Sequence, residues 1–277
     1  MIELMLPPFV ACLILVAIHS YLGLHVIARG VIFVDLSLAQ MAALGVTAGL
    51  LVGVAPDSHL AQVLAVAFTL IGAAIFALTR THGRGRVPQE AIIGIVYVVA
   101  SAAVLLIAAK APRGSDVVND ILVGTILWVT WATIGKLAVA YLLIGAFLFA
   151  LRHRFETVSF EPERAEREGW RVRWWDFSFY SAFGIVITFS VPIAGVFLVF
   201  SFLVVPAVAA FLFTRDPRAL TVISWSTGAL ASAAGLAASY HYDLPTGPVI
   251  VCTFGLLLLL AGVASRYVRR PIAGHAE

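Results

Sequence analysis

Apolar runs broken by short polar stretches fill almost the whole chain. A bilayer core of ~30 Å takes about 20 apolar residues in a helix. By that measure the pattern predicts membrane spans near 6–27, 33–54, 59–79, 90–109, 131–151, 176–191, 194–213, 218–239 and 247–268. The run 177–213 is too long for one crossing and holds Pro192, Gly195 and Pro206. Proline breaks a helical ladder, so the run is split at Pro192. The count is about nine spans, or eight if that run crosses once. The run 117–129 (VVNDILVGTILWV) is apolar but too short to cross. It predicts one short re-entrant or interfacial helix. The expected fold class is an all-α polytopic membrane protein.

Composition supports a single membrane domain over residues 1–277. The chain is 61% hydrophobic and 12% charged, with mean hydropathy +1.01, whereas soluble domains carry roughly 25% charged residues. Nothing resembles a soluble core with an anchor. The two cysteines, Cys12 and Cys252, lie in apolar runs without CxxC spacing, so no disulfide framework or zinc knuckle follows. The opening MIELMLPPFV lacks the basic region of a cleaved signal peptide and reads as the lead-in to the first span.

Charge gives an orientation. Nine spans put the two ends on opposite faces. One face then collects Arg29, Arg80, Arg84, Arg86, the six arginines of 152–173, Arg215, Arg218, Arg266, Arg269 and Arg270. The other keeps Lys110, Arg113 and Lys136. Lys/Arg bias marks the cytoplasmic side, so the C-terminus and the 152–175 loop are expected in the cytoplasm and the N-terminus outside. The outer loops are too short to form a binding domain, so capture of dilute solute would fall to another protein.

The 152–175 loop is the one long charged segment. From Arg152 to Arg173 it carries six arginines and five glutamates. Glu161, Glu163 and Glu166 sit early in a candidate helix ending near Gly169. Acids suit a helix N-terminus, Pro162 suits the first turn and glycine suits the C-cap. Ala165 and Gly169 are small enough to let a short helix seat closely in a groove. A solvated loop with helix-dipole charges explains the same local features.

Ionisable groups inside spans are costly and usually face a cavity or a partner. Asp35, about one turn inside the second span, is a candidate transport-path residue or an acid paired with Arg29. Glu90 begins the fourth span, as a helix N-terminal acid or a path residue. Asp243 lies in a turn with Pro245 and Gly247, where turn formation, receptor docking or an ion gate would each explain it. Cys12 and His19 are seven residues apart on one helix face and would offer a soft site to zinc or a similar ion; an apolar cysteine and a satisfied histidine are the commoner arrangement. His25 reads as interfacial. Trp128, Trp131, Trp174 and Trp175 fit interfacial belts. Glycine-rich faces at 45–53 and 228–235 permit close helix packing. There is no GxxxxGK[ST], HExxH or GxSxG, and no catalytic set of intramembrane acids.

Six elements resemble the permeases of metal-type (zinc/manganese/iron) ATP-binding-cassette transporters. Phe160-Glu-Pro-Glu-Arg-Ala165-x3-Gly169 resembles the family's F-D-x-x-x-A-x-x-x-G segment. Arg29-Gly30 with the following VIFVDLSLAQMAALGV is similar to its second-span segment, and Gln89-Glu90-Ala91-Ile92-Ile93-Gly94-Ile95 to its E-D-x-x-I-G-I element. Asp120-Ile-Leu-Val-Gly124-Thr-Ile-Leu resembles its L-x-G-x-I-L turn. Gly195-Val-Phe-Leu-Val with Val205-Pro206-Ala207 resembles its G-x-x-L-V…P-A element, and Asp243-Leu-Pro245-Thr-Gly247 its D-x-P-x-G loop. They occur in the family's order from residue 29 to 247.

The resemblance implies a cobalamin/siderophore-permease-like helical bundle in the bacterial inner membrane. It implies a permease homodimer seated on two cytoplasmic ATP-binding-cassette ATPases and fed by an extracytoplasmic solute-binding protein. ATP would be bound and hydrolysed on the partner subunit, so this chain would be no enzyme and would hold no cofactor. Phe160, Glu161, Glu163, Ala165 and Gly169 would couple the ATPase to the spans. The cargo would be a divalent metal, zinc first, then manganese or iron. Gln40 stands where the family often has histidine, and glutamine is a poor zinc ligand; Gln40 therefore joins Asp35, Glu90 and Asp243 as a path candidate. Two alternatives differ in kind. One is a permease of the same fold for a metal chelate or organic ligand, favoured by the few intramembrane His and acidic residues. The other is a stand-alone secondary transporter, for which inverted repeats are expected in many folds and none is evident.

Overall fold

The computed structural model describes residues 2–56, 58–80, 87–110 and 121–268, with side chains from Met5 to Arg266. Arg84, Arg86, Arg113, Arg269 and Arg270 of the charge asymmetry, and residues 117–120 of the predicted short helix, lie outside the described residues.

Within them the long helices are α1 (Ile2–Arg29), α2 (Val34–Leu51), α3 (His59–Leu78), α4 (Gln89–Ala108), α5 (Trp131–Ala150), α8 (Val172–Phe213), α9 (Pro217–Tyr242) and α10 (Thr246–Val268). Two short helices, α6 (Arg152–Phe160) and α7 (Pro162–Arg167), fill the charged stretch between α5 and α8. Local chemistry starts several of these helices. Ser58 caps α3 by accepting from the Ala61 N–H, and Thr130 caps α5 by accepting from Thr133. Asp216 caps α9 by accepting from Ala219, with Pro217 in the first turn. Each satisfies a backbone donor that the helix itself leaves unpaired.

Among the described residues, eight helices are long and apolar enough to cross a membrane. One of them, α8, is 42 residues long and is interrupted at Gly195, where φ is +76° and ψ 158°. Its contacts show the chain reversing there. Asp176 bonds Arg29 at the end of α1, and Ser190 lies 3.1 Å from His19, well back along the same helix. Beyond Gly195 the direction flips: the Leu203 carbonyl abuts Gly23, and Ala207 packs with Leu24. Helix α10 gives the same register, with Gly247 near Val123 at the bend and Phe254 against Phe202 further along. The arms 172–194 and 196–213, about 34 and 27 Å long at 1.5 Å per residue, therefore run antiparallel. Counting them separately gives nine crossings.

The break falls three residues later than the split expected at Pro192. A proline near the end of a helix removes one bond from a ladder that is already running out, whereas only glycine takes φ near +76° without a Cβ penalty. The carbonyls of Pro192 and Ile193 then accept from Thr125, through its hydroxyl at 3.4 Å and its backbone N–H at 2.9 Å. The described part of the predicted 117–129 element, ending in a 3-10 turn at Ile126–Trp128, lies over this bend. A Cβ on Gly195 would come within 2.4 Å of the Val123 carbonyl carbon, so the two segments meet backbone to backbone.

Helices α1 and α2 form the centre, each two-thirds buried over its most apolar window, while α4, α5 and α10 are only about a fifth buried. Helix α2 buries residues on every side, Asp35, Ser37, Gln40 and Thr47 among them. It meets α3 closely: a Cβ on Gly45 would lie 2.5 Å from the Leu64 carbonyl oxygen, and Gly72 sits on Leu38 and Met41. These contacts fit the glycine-mediated packing expected around residue 45.

Candidate coupling segment and intramembrane polar sites

The charged segment is a folded unit attached to the bundle. Helix α6 buries Phe155, Thr157, Val158 and Ser159 and exposes Arg152, His153, Arg154 and Glu156. The Phe155 ring packs among Phe147, Trp175 and Phe179. Pro162 opens α7, as proline suits a first helical turn. Arg164 pairs with Glu161 at 3.1 Å and with Glu168 at 2.9 Å on the exposed side. The helix closes as the sequence suggested. Gly169 takes φ +74°, its N–H donates to Glu166 and the Trp170 N–H donates to Ala165, each at 3.0 Å. That is a Schellman ending. The Arg154 guanidinium stacks 4.1 Å from the centre of the Trp170 ring and fixes the exit.

Ala165 does not face outward. It is 0% exposed and packs with Val158 and Val172, flanked by Trp170 and Trp175. Its small size seats α7 on its own chain, which corrects the expectation that it would meet a partner's groove. The outward surface is made by Phe160, which is 47% exposed, with Glu161, Glu163, Arg164 and Arg167, and by Gly169, beside which a Cβ would meet nothing within 4 Å.

Directly beneath lies a buried charge cluster that sequence reasoning missed. Asp176, 0% exposed, receives Arg29 Nη1 at 2.6 Å on one carboxylate oxygen and Arg80 Nη1 on the other. Arg29 also donates through Nε to the Ser159 hydroxyl at 2.8 Å and stacks over Phe179. His25 Nδ1 lies 2.9 Å from that same hydroxyl. His25 is thus a buried anchor between α1 and α6, not the interfacial residue its position suggested. Gln89, at the start of α4, donates to the Phe76 carbonyl at 3.2 Å and reaches the Tyr180 hydroxyl at 3.4 Å. Arg29 is therefore committed to Asp176, and the alternative pairing of Arg29 with Asp35 is overturned. The available signal was a lone acid beginning a span on the face where basic residues end other spans.

Asp35 stands apart. It is 2% exposed in the first turn of α2, and among the described residues neither carboxylate oxygen has a hydrogen-bond partner. It feels the N–H groups of its own helix end and the charge of Glu90. Glu90 accepts the Phe33 N–H at 3.0 Å through one oxygen, tethering the α1–α2 turn to α4, while its other oxygen is buried without a partner. Gln40, 7% exposed, follows further along α2. The structure thus brings Asp35 and Glu90 together on one side of the α1–α2 turn.

The remaining candidates separate. Asp243 is an exposed left-handed residue (φ 50°) ending α9, its N–H bonded to Ser239; turn formation accounts for it. His19 is fully buried, with Nδ1 bonded to the Leu15 carbonyl at 2.8 Å and Nε2 3.1 Å from Ser190. Cys12, also buried, lies against Ser232 of α9. Among the described residues no group of three His, Cys, Asp or Glu is placed to hold a metal ion.

A model of the ABC 3 transport family matches residues 1–265. The chain belongs to this family. It is 27% identical over 232 residues to the manganese import system permease protein ScaB of Streptococcus gordonii, covering 79% of this chain and 81% of that one. Over 197 residues it is 26% identical to the manganese transport system membrane protein MntC of Listeria innocua, covering 69% and 70%. In fold it is similar to PsaBC from Streptococcus pneumoniae, solved with a Fab, with TM-score 0.75, 21% identity and coverage of 95% and 93%. A metal-chelate type ABC transporter in an inward-facing conformation has TM-score 0.68, 17% identity and coverage of 92% and 85%. This ABC 3 chain is a multi-pass permease of a metal-ion importer. Membership implies a separate ATPase, which hydrolyses the nucleotide, and a solute-binding protein.

Proposed function

We propose that this ABC 3 permease imports a divalent metal ion, with manganese ahead of zinc and iron. A pair of cytoplasmic ATPases drives it through the 152–173 segment. The observation that carries this reading is Asp35, whose carboxylate lies inside the bundle with no hydrogen-bond partner for either oxygen among the described residues. An unpaired buried charge is expensive, and a cation passing along α2 would offset that cost. The similar ScaB and MntC proteins are named for manganese. The donors that Asp35, Gln40 and Glu90 supply are oxygens, which suit manganese better than a soft metal. This reverses the zinc-first order implied by the resemblance. His19, with both ring nitrogens engaged, and Cys12 stay outside the proposed path.

The arginine-rich face is assigned to the cytoplasm of a bacterial inner membrane, which puts the C-terminus inside and the N-terminus outside. Two copies of the chain would pair, one above each ATPase, and the binding protein would deliver ion on the opposite face. The chain itself would hold no cofactor. Binding of ATP on the partners would tilt the spans and alternate access to the path, a rigid-body switch.

The test is uptake into proteoliposomes holding the permease, its ATPase and its binding protein, with Mn²⁺, Zn²⁺ and an iron chelate compared side by side. Mn²⁺ is expected to accumulate fastest. Uptake of the chelate alone would assign the protein to the chelate-carrying relatives of the same fold.

A further inference from the structure

We propose that Asp176 is a positioning residue that joins the exposed coupling segment to the ends of α1 and α3, so that displacement of α6 and α7 carries both helices with the first arm of α8. This rests on the ATP-driven reading above. The carboxylate uses one oxygen for Arg29, the last residue of α1, and the other for Arg80, just past α3. Arg29 continues the chain of contacts to α6 through the Ser159 hydroxyl at 2.8 Å, and His25 approaches the same atom at 2.9 Å. The three charged side chains are 4%, 14% and 0% exposed for Arg29, Arg80 and Asp176. Water therefore cannot replace a lost partner cheaply, and the links stay fixed as the elements move.

Stability alone is a weak reason for such a cluster, because well-packed apolar residues of similar volume often hold helices as well as a buried ion pair does. What the cluster adds is direction. One acid fixes two arginines at the ends of separate helices, and one arginine fixes the segment that faces the ATPase. The movement has an onward route to the proposed path. Gly72 of α3 sits on Leu38 and Met41 of α2, and Gly45 of α2 on Leu64 of α3. A shift of α3 must therefore carry α2, which bears Asp35 and Gln40.

The experiment uses the assembled transporter in proteoliposomes and measures ATP hydrolysed and Mn²⁺ taken up in the same sample. In Asp176→Asn the ATPase is expected to remain bound and active while uptake per ATP falls about tenfold, a usual size for coupling between sites. Arg80→Gln, at the more exposed edge of the cluster, is expected to lower uptake per ATP in the same direction but less. Combined with Asp176→Asn it should add nothing, since both remove the same link. If Asp176→Asn does not assemble, Arg80→Gln alone decides. Unchanged uptake per ATP in the variants overturns the proposal, and so does a proportionate fall of hydrolysis and uptake. A wild-type transporter with no ATP-dependent uptake of any metal would instead overturn the proposed function.

Discussion

Asp35 and Asp176 are both buried acids near the charged face, and their surroundings are opposite. Asp176 is held by two arginines, one ending α1 and one just past α3. For Asp35, neither carboxylate oxygen finds a hydrogen-bond partner among the described residues, and the N–H groups of its own helix end lie close. A buried carboxylate without a partner is costly, and a fold selected only for stability would have little use for one. The contrast separates two jobs that a sequence presents as the same feature, an acid at the start of an apolar run. One acid fastens the bundle where the charged segment is attached. In the proposed function the other leaves a carboxylate open to a passing cation.

The contrast breaks most sharply at Asp176. Asp176→Ala strands two buried arginines, and removal of one partner from a buried pair costs about 3–5 kcal/mol. Thermal unfolding of the purified permease in detergent should show that loss. Asp35→Asn removes a buried carboxylate whose oxygens find no hydrogen-bond partner among the described residues, so the same melt should be unchanged or raised. Its metal uptake should nonetheless fall by about tenfold or more, an intramembrane acid being functional by default. A destabilised Asp35→Asn would show that this acid has a structural partner after all.

Ala165 comes next. Ala165→Leu overfills the contact with Val158 and Val172, at a cost of about 1–3 kcal/mol, and should loosen α7 enough to raise its proteolysis rate. Gly169 gives the smallest stability effect. Any side chain there pays about 1 kcal/mol for the left-handed backbone, yet no described residue would touch its Cβ. Gly169→Ala and Gly169→Trp should therefore melt alike. If a partner docks here, pull-down of the ATPase should be kept by the alanine variant and lost by the tryptophan variant.

Much of this fold was legible in the chain, because apolar length and arginine placement are local signals. The predicted spans match helices, and Gly169 closes α7 as its position implied. Three features were hidden for physical reasons. The break at Gly195 was drawn at Pro192 because proline disrupts helices visibly, whereas a glycine's left-handed turn shows only when the chain must reverse. Ala165 looked like a contact for a partner because a six-residue helix has too little apolar pattern to say which side is buried. Asp176 went unnoticed inside RVRWWDFSF, and its partners are 147 and 96 residues away in sequence. Nearness along the chain pointed Arg29 to Asp35 instead. Pairing across such distances is decided by how helices pack, which no local pattern records.

The most direct measurement is Mn²⁺ uptake into liposomes containing this chain with its binding protein, with and without the ATPase and ATP. The account predicts accumulation only when ATPase and ATP are both present, and none from the chain and binding protein alone. Accumulation at the same rate without the ATPase would contradict it.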